Sequence, residues 1–231
     1  MLSIVIPTLN EEKYLPRLLA SIKRQEFDDY EIIVSDAGSQ DKTRDIAESY
    51  HCRIVSGGLP ASGKNRGAEL AWGELILFID ADAALVANSL SAFLKEFARR
   101  NLDVATFLLK ADEKFHRLSL KILYNFPSLL TEKFLPQAMN VILVKKNLHQ
   151  KIGGFNEKIK IGEELDYVRK GEKTGRFGVL KSAQISVSPR RFQKDGWLKT
   201  WLKYFLCQLH MIFFGPVRSD LFKYRFNHYN K

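Results

Sequence analysis

The stretch "GGLPASGKNRGAELAWGELILFIDAD", residues 57–82, decides how this chain is read. From Gly58 it runs G-x-x-x-x-G-K and then Asn65. A phosphate-cradling P-loop needs Ser or Thr after the Lys, because that hydroxyl ligates magnesium. The surroundings otherwise suit such a loop: "CRIVSGG" (52–58) reads as a strand and "KNRGAELAWG" (64–73) as a short helix. "LILFID" even imitates the apolar strand whose terminal Asp holds magnesium. Against this stand Asn65 itself, and Leu59 and Pro60, which occupy positions where successive amides would have to curl round a phosphate. A second reading is an ordinary surface loop that opens a basic helix.

The flanks decide more. "SIVIP" (3–7) is a short apolar run ended by Pro, a buried strand. In "NEEKYLPRLLASIKRQ" (10–25), Leu15, Leu18, Leu19 and Ile22 share a helical face, with Asn10 as the expected N-cap. "YEIIVSDAG" (30–38) is a strand, "DKTRDIAESY" (41–50) a helix and "LILFIDAD" (75–82) a strand. Strands alternating with helices at this pace predict a mostly parallel sheet in an α/β fold. Beyond Asp82 the pattern predicts a helix over 88–100, a strand over 102–110, and mixed helix and loop over 111–135, broken at Pro127. It then predicts a strand over 138–146, a helix to Gly153, a helix over 162–175, and one or two short strands over 178–188.

Ligands of open parallel sheets sit beyond the carboxyl ends of the strands. Four predicted strand ends carry polar signals: Thr8 to Glu11, Asp36, Gly63 to Arg66, and Asp80-Ala81-Asp82. Carboxylates at i and i+2 on a strand terminus can bend towards one cation, and such oxygens suit magnesium or manganese bridging a pyrophosphate. A strand-end turn rich in Asp is the plainer alternative for that triplet. Likewise, Glu163 and Glu164 could simply be acids favoured by the dipole of a helix N-terminus. "GGF" (153–155) marks a tight turn and the end of the preceding helix.

Taken together, "SIVIPTLNEE", "VSDAGSQDKT", "SGKNRGAELAWGELILFIDADA" and "GGFNEKIKIGEELDYVRK" resemble a family 2 glycosyltransferase of the GT-A fold. The resemblance is strong over about 1–110, moderate over 138–190 and weak beyond. It implies a Rossmann-like, mixed but mostly parallel central sheet flanked by helices. It also implies that Pro7, Thr8, Asn10 and Glu11 line a nucleotide pocket and that Asp36 contacts the base. Lys64 and Arg66 would lie beside the diphosphate. Asp80 and Ala81 would lie near the ribose, and Asp82, with Asp80, would bind a divalent metal, Mn2+ or Mg2+. "GEEL" stands where the family usually has Glu-Asp, so the catalytic base would be Glu164, with Glu163 and Asp166 as neighbouring candidates. Arg190 and Arg191 stand where many relatives carry an Arg near a phosphate. The Q-x-x-R-W motif of processive synthases is absent.

Composition sets the frame. The 231 residues are 45% hydrophobic and 27% charged, which fits one domain with an added segment. We expect a GT-A domain over 1–190, divided into a nucleotide-sugar half (1–110) and an acceptor half (111–190), and an amphipathic helical extension over 191–231. Two cysteines, Cys52 and Cys207, make no disulfide framework and point to a reducing, cytoplasmic setting. "MLSIVIPTLNEE" begins with an apolar run too short for a signal peptide and lacks the basic start of one, and no uncharged stretch reaches the length expected of a membrane span.

The net charge of +10 is uneven. From Lys181 to the end there are ten Lys or Arg against Asp195 and Asp220, leaving +8 there and +2 before it. Such a tail asks for an anionic partner. In "WLKTWLKYFLCQLHMIFF" (197–214), Lys199, Lys203 and His210 form a narrow stripe; Trp197, Trp201, Leu202, Phe205, Leu209, Ile212 and Phe213 cover the rest. That pattern predicts a peripheral membrane surface through 195–216, with two alternatives: a helix packed on its own sheet, or a homodimer interface. A second aromatic, basic stretch (115–134) is expected to line an acceptor groove for a lipid-linked acceptor.

The function expected from all this is metal-dependent, inverting transfer of a sugar from a nucleotide sugar, UDP-linked in preference to GDP-linked, on the inner membrane face. A P-loop-like phosphohydrolase or kinase is the alternative in one class. A non-catalytic, membrane-docked nucleotide-sugar-binding module is the alternative in another. A nucleic-acid binder would explain the tail charge but neither DAD nor EELD.

Overall fold

In a computed structural model that describes residues 1–111, 113–219 and 221–222, the expected strand–helix alternation builds one eight-stranded sheet. Its strands are β1 (Leu2–Thr8), β2 (Tyr30–Asp36), β3 (Arg53–Ser56), β4 (Leu75–Ile79), β5 (Ala83–Ala84), β6 (Val104–Lys110), β7 (Val141–Lys145) and β8 (Phe177–Val187). They lie in the order β3-β2-β1-β4-β7-β6-β8-β5. β1 pairs in parallel with both β2 and β4, and β2 with β3. β7 is antiparallel to both its neighbours, and β6 runs parallel to β8. The chain therefore leaves β1 in one direction and returns on its other side as β4. A topological switch point opens at the carboxyl ends of these two strands, where Thr8 and Asp80 lie.

The helices are α1 (Leu15–Lys23), α2 (Thr43–Ser49), α3 (Pro60–Glu69), α4 (Ser89–Arg99), α5 (Lys114–Leu120), α6 (Phe126–Leu130), α7 (Lys146–Lys151), α8 (Glu163–Thr174), α9 (Arg190–Asp195) and α10 (Trp197–Phe213). A π-helical turn, Lys121–Asn125, joins α5 to α6. Two buried apolar clusters cover the two faces of the sheet. One is built from Ile4, Leu19, Leu77, Phe93 and Phe107, the other from Val5, Ile76, Phe78, Val144 and Tyr167. Alternate residues of β1 and β4 serve opposite clusters, as strand geometry requires.

Three expectations about elements are corrected. Asn10 does not cap α1; it adopts a left-handed backbone (φ 54°), and the helix begins at Leu15. Asn is one of the few residues that tolerates this conformation. Pro127 does not break a helix but sits in the first turn of α6, where a missing N–H costs nothing. Of the one or two short strands expected over 178–188 there is one, and it is long, Phe177–Val187.

The largest difference falls on the opening stretch. Pro60 starts α3, so the helix expected from Lys64 begins four residues earlier and Lys64 lies in its middle rather than at its start. A Cβ built on Gly67 would come within 2.3 Å of Val5 Cγ1, and one on Gly63 within 3.4 Å of the Pro7 side chain. The glycines of "SGKNRG" therefore let α3 lie tightly on β1, and Lys64 projects where β1 and β4 end. Asn65 anchors the other side. Its Nδ2 donates to the Phe155 carbonyl at 2.9 Å, and its Oδ1 accepts from the Phe155 N–H at 2.8 Å.

Residues 223–231, the last part of the expected extension, lie outside the described residues.

Candidate active site

The β1 end is wired to the β2 end. Thr8 donates to Asp36 Oδ1 at 3.3 Å, and Asp36 also accepts from the Ser39 hydroxyl and from the N–H groups of Gly38 and Ser39. Asn10 Oδ1 accepts from the Gln40 N–H at 2.8 Å, and the Asn10 N–H donates to Ser39 Oγ. These bonds shape the rim of a cavity of about 250 Å³ lined by Asn10, Glu12, Lys13, Tyr14, Gln40 and Asp41.

Buried Glu11 meets Arg190 across 179 residues. Arg190 Nη1 and Nη2 each donate to a Glu11 carboxylate oxygen at 2.8 Å. Arg190 Nε donates to Asp82 Oδ2, also at 2.8 Å, and the guanidinium lies 4.4 Å from the Tyr14 ring centre. Tyr14 thus forms a wall shared by the cavity and this carboxylate pair. The planar fork of Arg suits such a double grip. Asp82 Oδ1 is buried and has no hydrogen-bond partner among the described residues.

Asp80, two residues back, is held by Asn140, whose Nδ2 donates to Asp80 Oδ2 at 2.9 Å. Its other oxygen lies 4.0 Å from Lys64 Nζ. The buried Lys64 ammonium pairs with Glu164 and lies 3.4 Å from Glu163 Oε1. It also sits 5.2 Å from the Phe155 ring centre. Burial works against the Lys64 charge, but the carboxylates around it outweigh that and hold its pKa above the ordinary lysine value. Burial, opposed by Lys64 and helped by the neighbouring carboxylates, pushes Asp80 up to about 7. Burial and then Glu164 push Glu163 up to about 7. Glu164 is lowered instead: Lys64 overcomes the burial that would raise it.

The acids arrive here because α8 starts here. Gly162 adopts a left-handed conformation (φ 82°), and three acids follow in the first turn, where the helix dipole favours them. One turn further on, Tyr167 locks the helix down. Its ring stacks on Phe155 at 4.0 Å, and its hydroxyl shares a 2.8 Å hydrogen bond with His149 Nδ1. Burial pushes His149 down to about 4. Neither His149 nor Tyr167 stood out in the sequence, where a lone His and a Tyr carry no positional signal.

The expected residues thus fall into three groups. Lys64, Asp80, Glu163 and Glu164 form one cluster. Glu11, Asp82 and Arg190 form a second, and Asp80 and Asp82 join the two. The others lie apart. Asp166 pairs with Lys170 of its own helix at 2.8 Å. Arg66 donates to the carbonyls of Ser56 and Gly57, bracing the end of β3. Pro7 is the last residue but one of β1, and Ala81 is buried between the two aspartates. Arg191 is half-buried beside Arg190 in α9.

For a divalent cation, the fit rests on Asp82 Oδ1, a buried and unpartnered carboxylate oxygen, with Asp80 two residues away. Oxygen donors of this kind suit Mg2+ or Mn2+, whose remaining positions water and a diphosphate would fill. Among the described residues no group of three His, Cys, Asp or Glu side chains forms a complete protein cage.

A sheet of this order, with these carboxylates gathered where β1 and β4 end, defines a GT-A-type fold. The family model for glycosyl transferase family 2 matches residues 3–156, and the chain belongs to that family. One relative is the GalNAc(5)-diNAcBac-PP-undecaprenol beta-1,3-glucosyltransferase of Campylobacter jejuni. It is 33% identical over 104 residues, which cover 41% of this chain and 34% of that protein. Another is the validoxylamine A glucosyltransferase of Streptomyces hygroscopicus subsp. limoneus, 41% identical over 90 residues, 35% of this chain and 20% of that protein. The chain spans about a third or less of the length of these two relatives. Among solved structures, a 1–349 fragment of Staphylococcus aureus TarS superposes with a TM-score of 0.68 at 22% identity, covering 92% of this chain and 72% of that one. The mannosyltransferase PcManGT of Pyrobaculum calidifontis, solved with GDP-Man and Mn2+, gives 0.72 at 17% identity, covering 90% and 62%. Both are likenesses of fold.

Proposed function

We propose that the chain transfers a sugar, with inversion, from a nucleoside-diphosphate sugar to an acceptor hydroxyl or phosphate. UDP-sugars are the favoured donors and GDP-sugars the alternative. The observation that carries this reading is the convergence on Lys64 of Asp80, from the β4 end, and Glu163 and Glu164, from the α8 start. Acids from the expected donor side and the expected acceptor side thereby meet at one lysine, and an inverting transfer needs both.

In this reading the nucleotide lies over the β1 and β2 ends, against Pro7, Thr8, Asn10 and Asp36. Asp82 and Asp80 would hold Mg2+ or Mn2+, which would neutralise charge on the departing diphosphate. Arg190 orients Asp82 through its grip on Glu11, and Arg191 lies next to it for a phosphate. Glu164, kept ionised by Lys64, accepts the acceptor hydroxyl's proton as the new C–O bond forms at the anomeric carbon. The bond to the diphosphate breaks on the opposite face, so configuration inverts. Glu163 stands beside it as a second proton acceptor, and Asp166 as a third candidate one turn on.

The catalytic unit is residues 1–190, with donor half 1–110 and acceptor half 111–190. The enzyme works at the cytoplasmic membrane face on a lipid-linked acceptor. No helix among the described residues is long and apolar enough to cross a membrane.

A thermal-shift panel of nucleotide sugars with Mn2+ or Mg2+ tests the reading. A donor-specific, metal-dependent rise in melting temperature supports it. ATP turnover that depends on Lys64, without a nucleotide-sugar shift, would favour the phosphohydrolase alternative.

A further inference from the structure

Of the twenty large apolar side chains exposed among the described residues, fifteen lie in two segments, 115–134 and 198–221. In α10 the outward positions are Leu198, Leu202, Phe205, Leu206, Ile212 and Phe213, all at helical spacing. The inward side is small. Thr200, Cys207 and Met211 are buried, and Cys207 and Met211 pack with Ile161 and Val217. The helix therefore turns its apolar stripe away from its own domain. A monomer with that much contiguous apolar surface is presenting it to something.

The second segment does the same. Across α5, the π-turn, α6 and the turn after it, Phe115, Leu118, Ile122, Phe126, Leu130 and Phe134 are each more than half exposed. The π-turn's inward residues are engaged: the Tyr124 hydroxyl meets Thr106 Oγ1, and Asn125 exchanges two hydrogen bonds with the Leu109 backbone. Ring contacts join the two segments. Phe115 lies 5.3 Å from Trp197, His116 lies 5.9 Å from Phe192, and Phe192 lies 5.2 Å from Trp201. Gln193 also donates to Glu113.

On this surface cations outnumber acids, which are Glu113, Glu132 and Asp195. Arg117, Lys121, Lys133, Lys194, Lys199 and Arg218 are all exposed. The acids nearby are engaged: Glu113 with His116 and Gln193, and Glu132 with Arg100 and Lys181. Apolar rings and leucines interleaved with exposed lysines match the boundary of an anionic bilayer. There the rings enter the headgroup region and the cations meet lipid phosphates. A second copy of the chain would instead bring like charges together.

We infer that residues 115–134 and 197–214 form a single two-segment platform that docks on an anionic lipid bilayer. It deepens the membrane reading given above and rests on it for the acceptor's origin. The platform is tied to the site at two points. Arg190 of α9 grips Glu11 and Asp82. Met211 of α10 abuts Gly162, where an added Cβ would lie 2.8 Å from its sulfur. Gly162 immediately precedes Glu163 and Glu164, so a docked platform sets the candidate base at a fixed height above the lipid, within reach of a headgroup-borne acceptor.

The test is co-sedimentation of the full chain with vesicles of phosphatidylcholine alone or mixed with phosphatidylglycerol. We compare Phe126→Ser/Leu130→Ser with Phe205→Ser/Phe213→Ser. The wild type should pellet with mixed vesicles and release as salt rises. Each double variant should lose about tenfold in affinity or more, a difference of ~1.4 kcal/mol. Both variants should keep the wild-type circular dichroism spectrum and nucleotide-sugar thermal shift, which separates failure of the platform from failure of the transferase reading. Three results would overturn the proposal: no binding to mixed vesicles, binding insensitive to Phe126→Ser/Leu130→Ser, or a dimer in light scattering that the same variants dissolve.

Discussion

Arg190 and Asp82 lie 108 residues apart in sequence, yet Arg190 Nε donates to Asp82 Oδ2 at 2.8 Å, leaving the other carboxylate oxygen buried and unpartnered. Arg190 also neutralises Glu11, so one guanidinium serves two carboxylates, Glu11 buried and Asp82 largely so. Replacing it with Ala strands both. Breaking a buried pair costs about 3–5 kcal/mol. We expect a loss of that order in urea unfolding, with Arg190→Lys recovering only part, since an ammonium cannot reproduce the fork. A change under about 1 kcal/mol would contradict the geometry.

Asp82→Asn keeps the size of the side chain and the oxygen facing Arg190, but removes the anionic charge. The variant should fold, and should lose Mn2+ binding measured by electron paramagnetic resonance in the presence of a nucleoside diphosphate. Wild-type Mn2+ affinity would remove Asp82 from the metal site.

Glu164→Gln should leave the donor-induced thermal shift intact and lower transfer by about 10²–10⁴-fold, the usual contribution of a positioned general base. If turnover is unchanged, the proton goes to Glu163 or Asp166.

Glu163 makes stability depend on pH. Its folded pKa, about 7, lies above the ordinary glutamate value of 4.5 because burial and Glu164 disfavour its charge. Between these two values the folded state holds more protons than the unfolded state, so stability falls as pH rises through that window. Glu164 has a lowered pKa and acts in the opposite sense, losing its stabilising contribution below pH 4.5. Glu163→Gln should make the decline in melting temperature between pH 4.5 and 7 shallower, leaving the part that Asp80, also raised to about 7, contributes. A decline as steep as in the wild type would mean that Glu163 is not the group responsible.

Gly67→Ala would drive a methyl to 2.3 Å from Val5 Cγ1. Overpacking of this kind costs about 1–3 kcal/mol. Val5→Ala opens space at the same point. A double-mutant cycle in denaturant should therefore show a favourable coupling of more than about 0.5 kcal/mol. Additive effects would mean that α3 does not lie as close to β1 as the glycines suggest.

Much of the fold was legible in the chain. The apolar runs of β1, β2 and β4 and the helical spacing of Leu15, Leu18, Leu19 and Ile22 are local patterns, and local patterns survive folding. The family, too, followed from short motifs in their order. The misreadings were at boundaries. Asn10 looked like a cap because Asn often is one, but its side chain is spent on Gln40, across the loop that follows β2. Asn65 looked like a spoiled P-loop residue; its true partner, Phe155, is ninety residues downstream.

The sequence by itself determined the alternation of strands and helices, the family, and which acidic and basic residues were available for chemistry. All of these depend on side-chain type and short spacing. Only the tertiary structure decided how those charges pair. Lys64 neutralises the acids of α8, Arg190 neutralises Glu11 and holds Asp82, and the apolar stripe of α10 turns outward. The physical reason is that buried charges must find partners of opposite sign wherever the chain brings them, and that placement depends on strand order and close helix packing rather than on separation in sequence. "SGKNRG" carries both kinds of information: its glycines set the distance between α3 and β1, and that distance delivers Lys64 to the site.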